Sequence, residues 1–283
     1  MILIADSGST KTSWALADKG EKILEFMSSG FNPYIQSNEL ISKTIGEEIF
    51  PKVKGFNIEA LYFYGAGCST EANKNTMLHC FKSYFTKSNI EIEHDLLAAA
   101  RALWFDGDGI AAIMGTGSNS CLYKGGIIAS AVPSLGFILG DEGSGAYMGK
   151  IVVRDFLYHK MPGDISDKFK EKYDLSASSI LENVYKKENP NRWLSSLAFF
   201  VSENIQEDYC RTLVLKSMKD FFEAHLVQYL GYKAMPLGAV GSIGFIFRDL
   251  LEIVAQDYGF NLNKVIKSPI EELVKYHLSM EKQ

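Results

Sequence analysis

The stretch Ile2-Leu3-Ile4-Ala5-Asp6-Ser7-Gly8-Ser9-Thr10 returns in altered form as Ala111-Ala112-Ile113-Met114-Gly115-Thr116-Gly117-Ser118-Asn119. Each copy is an apolar run that reads as a buried strand, followed by a turn of small residues. The match continues downstream. After the first turn, Thr12-Ser13-Trp14-Ala15-Leu16-Ala17 reads as a second strand, Asp18-Lys19-Gly20 as a turn, and Lys22-Ile23-Leu24-Glu25-Phe26 as a third strand. After the second, Ser120-Cys121-Leu122-Tyr123, Lys124-Gly125-Gly126 and Ile127-Ile128-Ala129-Ser130 follow the same order. A β-meander that occurs twice predicts two halves built alike.

Working outward, Ala60-Leu61-Tyr62-Phe63-Tyr64-Gly65 and Ile90-Glu91-Ile92-Glu93-His94 read as further strands, each followed by turn residues and a helical stretch. That alternation adds α/β units to the first meander. The region from about Ser144 to Tyr232 is mostly helical in pattern, and its stripe Leu215, Met218, Phe222, Leu226 and Tyr229 has the spacing of a core-facing helix. Leu237 to Val240 reads as a buried strand that ends in Gly241-Ser242-Ile243-Gly244, with a helix after it. Ser268-Pro269-Ile270-Glu271 has capping-box spacing with Pro at the first helical position, which predicts a last helix from about Pro269 to Leu278. The best boundary between the halves is the turn Phe105-Asp106-Gly107-Asp108-Gly109. Its D-x-D-x-G fragment lacks the remaining ligands of a calcium loop and reads as a turn.

Composition narrows the function. A chain of 283 residues suits two modest domains or one large one, and its 47% hydrophobic and 22% charged residues are ordinary for a globular protein. The net charge of −5 comes without a Lys/Arg block, which argues against a nucleic-acid groove or an anionic membrane surface. The longest uncharged stretch, Gly125 to Gly140, is shorter than the roughly 18 apolar residues of a membrane span and reads as a core segment. No basic segment precedes the first strand, so a cytoplasmic location is expected. Cys68, Cys80, Cys121 and Cys210 are scattered and the histidines make no H-E-x-x-H, so neither a disulfide framework nor a zinc or iron–sulfur site is indicated.

Chemistry concentrates at the turns. Asp6-Ser7-Gly8-Ser9-Thr10-Lys11-Thr12 sets a carboxylate at a strand end before a tight turn. Such a turn can aim backbone N–H groups and hydroxyls at an anion, and the Asp can reach a phosphate-bound Mg²⁺, directly or through water. It lacks P-loop spacing, and an ordinary hairpin turn is the competing reading. Gly115-Thr116-Gly117-Ser118-Asn119-Ser120 is its counterpart, and two such turns can grip one polyphosphate from both sides. Gly241-Ser242 offers bare backbone to a flat base, or is simply a strand–helix junction. Asp95 and Asp141 each precede a helical run, where an Asp reads as a helix cap.

The order D-S-G-S-T-K-T (6–12), H-D-L-L-A-A-A (94–100), G-T-G-S-N-S (115–120), L-G-D-E-G-S-G (139–145) and A-V-G-S-I-G (239–244) resembles the actin/hexokinase/Hsp70 ATPase superfamily. Within it, the chain is similar to the N-acetylglucosamine kinases grouped with the activator ATPases of benzoyl-CoA reductase. The resemblance implies an α/β protein of two ribonuclease-H-like lobes around a central nucleotide cleft. One lobe is 1–106 with a returning helix 269–283; the other is 107–268, with the helical region as a large insertion. It implies an ATP- and Mg²⁺-dependent kinase acting on the 6-hydroxyl of N-acetylglucosamine or a related amino sugar, with Asp95 as base. It places Asn32, Gly65, Ala66, Gly67, Asp95, Thr116, Gly117, Asn119, Ser134 and Asp141 at the sugar, and Asp6 and Asp141 at the metal. Gly8, Ser9, Thr10, Lys11, Thr12, Gly115, Thr116, Gly117, Ser118, Gly241 and Ser242 fall to the nucleotide. A homodimer is a further expectation, with neither nucleic acid nor membrane as partner. Val132-Pro133-Ser134-Leu135-Gly136-Phe137 departs from the glycine-rich, Trp-containing stretch usual there. The alternative is a nucleotide-switched ATPase that regulates a partner protein; the cluster cysteines of the reductase activators have no counterpart here.

Overall fold

The computed structural model describes residues 1–8 and 10–280. Its ten strands are β1 (Ile2–Ser7), β2 (Lys11–Asp18), β3 (Glu21–Ser29), β4 (Ala60–Gly65), β5 (Asn89–His94), β6 (Gly109–Met114), β7 (Ser118–Lys124), β8 (Ile127–Ala131), β9 (Pro236–Val240) and β10 (Asn261–Ile266). They form two five-stranded sheets, ordered β3-β2-β1-β4-β5 and β10-β9-β6-β7-β8, which is one order read from opposite edges. In both, the first three strands make an antiparallel meander and the last two add in parallel. The repeat seen in the sequence is thus a repeat of topology. The meander turns agree in detail: Lys19 and Gly20 (φ 48° and 92°) link β2 to β3, and Gly125 and Gly126 (φ 58° and 82°) link β7 to β8. Two successive left-handed residues are what a two-residue hairpin turn needs to match the strand twist.

The chain divides into two compact units, residues 1–107 with 268–283, and residues 108–267. In the first unit, Ile2, Leu3, Ile4 and Ala5 of β1 are all buried, as expected of a central strand covered on both faces. One face carries an aromatic cluster in which Trp14 stacks on Phe26 (ring centroids 5.9 Å apart) and meets Phe63 and Phe81, while its Nε1 donates to Ser28 Oγ at 2.9 Å. The other face receives the helices Asp95–Trp104 and Ile270–Met280. In the second unit, β6 is the equivalent central strand, with Ile110, Ala111, Ala112 and Met114 buried. Between β8 and β9 the chain is helical, including Gly145–Leu157 and Asp208–Ala224. The stripe Met218, Phe222, Leu226 and Tyr229 is buried in the core, with Leu215 packed at its edge.

One expectation needs correction. The Gly125–Gly140 stretch is not a core segment: β8 is an edge strand, and Ile127, Leu135, Ile138 and Leu139 are 60–74% exposed. Apolar composition does not guarantee burial where the chain runs along a sheet edge. In addition, β10 lacks a clear apolar run in Asn261-Leu262-Asn263-Lys264-Val265-Ile266, and its pairing with β9 shifts register between Leu262 and Lys264. No helix among the described residues is long and apolar enough to cross a membrane.

The helix Ile270–Met280 is fastened to β4 by a buried polar chain. Arg101 donates to Glu91 (2.8 Å) and to the hydroxyl of Tyr64 (2.6 Å), and that hydroxyl lies 2.8 Å from His277 Nε2. The His277 ring stacks on Tyr62 at 3.8 Å. With Tyr64 accepting from Arg101, its own proton points at His277, which must be the neutral acceptor. Burial, with Arg101 nearby, pushes the His277 pKa down to about 3. The folded state therefore resists a proton that the unfolded chain accepts near pH 6.5, and stability present above that pH is lost as pH falls toward 3. His277→Gln should flatten the acid limb of a stability–pH curve measured by urea unfolding, removing a dependence on the order of a few kcal/mol.

Candidate active site

In the first unit, the parallel strands β1, β4 and β5 end side by side, with Ser7 opposite Gly65 and Gly65 opposite His94. The residues just beyond are Gly8, Ala66 and Asp95. Ligands of parallel sheets bind at such carboxyl ends, where several loops leave together. Gly8 N–H donates to Lys11 O (3.0 Å) and closes the turn between β1 and β2. Thr10 and Lys11 stand on that turn, half-buried and exposed respectively, while Ser9 lies outside the described residues. The Thr12 hydroxyl points inward: it is buried, 2.7 Å from Ser7 Oγ, and donates to Ser29 O at 3.1 Å. It braces the turn instead of facing a phosphate.

Asn32, Gly65, Ala66 and Gly67 converge on one another. Ala66 N–H donates to Ser7 O at 2.8 Å, and Asn73 Nδ2 donates to Gly67 O at 2.7 Å. Gly67 has φ +78°, and a Cβ there would lie 2.5 Å from Asn32 Oδ1. No larger residue leaves Asn32 room beside this backbone. Asn32 Oδ1 also accepts from Tyr34 N–H at 3.1 Å, which fixes the amide plane. The result is a patch of neutral donors and acceptors suited to a polyol.

Two carboxylates stand beside this patch. The Asp6 side chain, on a half-buried residue, has no hydrogen-bond or ion-pair partner among the described residues. Burial first, and the charge of Asp95 second, raise its pKa to about 7, against a lowering pull from Lys11. Asp95 is not the N-cap of its helix; His94 holds that position and Asp95 is the first helical residue. Its pKa is raised by burial, opposed by His94 and by the N–H groups of Leu96 and of Asp95 itself. A carboxylate held in this way keeps enough basicity to take a proton. The uncompensated Asp6 beside it fits a divalent cation arriving with phosphates. Among the described residues no group of three or more His, Cys, Asp or Glu forms a ready-made metal cage.

In the second unit, three of the quoted motifs meet. Gly145 N–H donates to Gly115 O (2.9 Å) and Ala146 N–H to Thr116 O (3.1 Å), joining the β6–β7 turn to the helix Gly145–Leu157. Ser144 caps that helix through Tyr147 N–H, so Asp141 is not its cap. Asp141 instead sits at φ +61°, buried, with its carboxylate accepting from Ser118 N–H at 3.3 Å. A Cβ on Gly117 would lie 2.9 Å from that carboxylate, which is why a glycine stands there. Burial raises the Asp141 pKa, with Ser118 N–H and Lys150 opposing. Lys150 is itself engaged below, donating to Phe137 O at 2.5 Å and to Gly140 O at 3.4 Å. The Ser118 hydroxyl is buried and has no hydrogen-bond partner among the described residues. Asn119 Oδ1 accepts from Ser120 N–H (2.9 Å), and Ser134 Oγ donates to Ser118 O (3.3 Å).

Gly241 closes the set. At φ +125° its missing Cβ would lie 2.3 Å from Met114 O, so β9 and the β6–β7 turn approach as closely as bare backbone allows. Beside it lies a small cavity of about 40 Å³ lined by Ser195, Ala198, Phe199, Ser242, Ile243 and Ile246. Phe199 is 61% exposed, an aromatic ring available for stacking. Ser195, Ala198 and Phe199 carry no sequence signal, because they reach Ser242 only through the packing of distant helices.

Two units of one topology, each opening a hairpin turn at its central strand, define the ribonuclease-H-like class of the actin/hexokinase/Hsp70 ATPase superfamily. No protein-family model matches the sequence, and no curated protein does. Solved structures do match. A Porphyromonas gingivalis protein described as a candidate N-acetylglucosamine kinase superposes with a TM-score of 0.96 at 39% identity, over 99% of this chain and 100% of that one. A protein of the same description from Chromobacterium violaceum gives a TM-score of 0.75 at 14% identity, over 97% of this chain and 98% of that one. The ROK hexokinase of Thermus thermophilus shares the fold, with a TM-score of 0.56 at 12% identity over 100% and 99% of the two chains. The chain belongs to the N-acetylglucosamine kinase-like family of this superfamily.

The raised pKa of Asp6 has a sign that can be measured. Between the ordinary carboxylate value of 3.8 and about 7, the folded state holds a proton that the unfolded chain releases. Stability therefore falls as pH rises through that window, and the charged Asp6 is a burden above it. Asp6→Asn should raise the Tm by about 5 °C at pH 8 and barely change it at pH 4, read by differential scanning calorimetry.

Proposed function

We propose that the protein is an ATP- and Mg²⁺-dependent sugar kinase that transfers the γ-phosphate to the 6-hydroxyl of N-acetylglucosamine or a related amino sugar. The observation that carries this reading is Asp95, a half-buried carboxylate of raised pKa beside the neutral Asn32 and Gly65–Gly67 patch, in a chain 39% identical to a candidate N-acetylglucosamine kinase. Asp95 accepts the proton of the sugar hydroxyl as its oxygen bonds to the γ-phosphorus. The bond from that phosphorus to the bridging oxygen breaks and ADP leaves. Asn32, the backbone of Gly65–Gly67, Thr116, Gly117, Asn119, Ser134 and Asp141 hold the sugar. Gly8, Thr10, Lys11 and Gly115–Ser118 cradle the phosphates, and Gly241 and Ser242 lie along the adenosine. Asp6, and Asp141 in the second unit, are the carboxylates assigned to Mg²⁺, which when bound neutralises charge on the phosphate oxygens. Neutral amides and hydroxyls predominate among the sugar contacts, which favours a polyol over an acid.

The test is ADP release from Mg-ATP across a panel of amino sugars and hexoses, with a sugar-free control. One sugar should stimulate release strongly. Asp95→Asn should cut turnover by about 10³-fold while leaving ATP binding intact. Because the base works only when ionised and its pKa in the free protein is raised, wild-type kcat/KM for the sugar should fall as pH is lowered, with a midpoint above the ordinary 3.8. Release indifferent to every sugar would favour a nucleotide-switched regulator instead.

A further inference from the structure

Behind the sugar-facing segments of the second unit lies a buried polar chain that the proposed chemistry does not use. Ser120 is fully buried, and His225 and Tyr229 are 4% and 3% exposed. The Tyr229 hydroxyl accepts from Val132 N–H at 3.2 Å and lies 2.7 Å from Ser120 Oγ, which lies 3.3 Å from His225 Nδ1. Burial lowers the His225 pKa, so its ring is neutral. One arrangement uses both hydroxyl hydrogens: Tyr229 donates to Ser120, and Ser120 donates to an unprotonated His225 Nδ1. Each end of the chain then meets a different part of the site. Val132 leads into Pro133 and Ser134. Ser120 N–H donates to Asn119 Oδ1. The His225 ring stacks on Phe221 at 4.9 Å, and the Phe221 side chain fills the space where a Cβ of Gly143 would lie, 2.7 Å away.

We infer that Tyr229, Ser120 and His225 are positioning residues for the sugar, joining Asn119, the Val132–Ser134 segment and the Asp141–Gly143 turn into one preorganised surface. The inference rests on the sugar-kinase reading. His225 and Tyr229 follow the helix Asp208–Ala224, in the turns that end the core-facing stripe. A plain core reading explains their burial but not three hydroxyl and imidazole groups whose hydrogen bonds, among the described residues, run only to one another and to the Val132 amide. Such groups are costly to bury and act where a loop must hold one shape. Tyr229→Phe removes a single oxygen and leaves Val132 N–H without its acceptor, while the ring still packs.

The experiment is steady-state kinetics of the full-length protein with Mg-ATP and the sugar that most stimulates wild-type ADP release. Tyr229→Phe and Ser120→Ala should each raise the KM for that sugar about tenfold and leave the KM for ATP within about twofold. The double variant should be no worse than the poorer single, because both cut one chain. His225→Gln, which keeps an acceptor, should restore much of what His225→Leu loses. Met218→Leu, elsewhere in the same stripe, controls for general loosening and should leave both KM values unchanged. Equal effects on the two KM values, or unchanged sugar KM in Tyr229→Phe with wild-type turnover intact, would overturn the positioning role alone. Absence of sugar-stimulated release in the wild type would remove the kinase reading and this inference with it.

Discussion

Ser7 is the joint on which the first unit's site turns. Its hydroxyl accepts from Phe31 N–H at 3.1 Å and pairs with Thr12 at 2.7 Å, and its carbonyl accepts from Ala66 N–H at 2.8 Å. Three loops that leave the sheet at different points are thereby pinned to the last residue of one largely buried strand. Asp6, one residue earlier, inherits that rigidity, which is why a carboxylate with no partner can be kept there. The local cost is supported by the apolar packing of β1 on both faces.

The second unit solves the same problem with backbone alone. The carbonyls of Gly115 and Thr116 receive the first N–H groups of the helix Gly145–Leu157, and Gly241 presses against Met114 O where no side chain fits. Glycine is needed at Gly117 and Gly241 for different reasons. The first makes room for the Asp141 carboxylate, and the second combines close approach with a left-handed φ of +125°. Small residues in both hairpin turns thus reflect packing as well as access for an anion.

Much of this was legible in the chain. The repeated apolar runs, the paired turns and the candidate residues Asp6, Asp95 and Gly115–Ser118 stand out because strand alternation and glycine punctuation are local signals. What stayed hidden was local in sequence but decided at a distance. Asp95 reads as a cap until the backbone shows that His94 holds that position, and Asp141 reads as a cap until its φ of +61° and its bond to Ser118 appear. Leu135, Ile138 and Leu139 read as core, yet stay exposed beside an edge strand. β10 carries too little alternation to announce itself. Phe199 beside Ser242, and Tyr229 beneath Val132, depend on contacts between segments far apart along the chain, which no periodicity encodes.

The first unit is discontinuous, and this has a consequence for how the protein is made. His277 and Tyr64 touch across a separation of 213 residues, with the whole of the second unit between them. A ribosome must deliver all of residues 108–267 before the helix Ile270–Met280 can cover Tyr62, Tyr64 and Arg101. Until then one face of the first sheet is covered only in part, by the helix Asp95–Trp104, while the second unit is free to finish folding. The order of completion is therefore the reverse of the order of synthesis, and chaperone demand should fall on the amino-terminal sheet, the first part translated and the last to close.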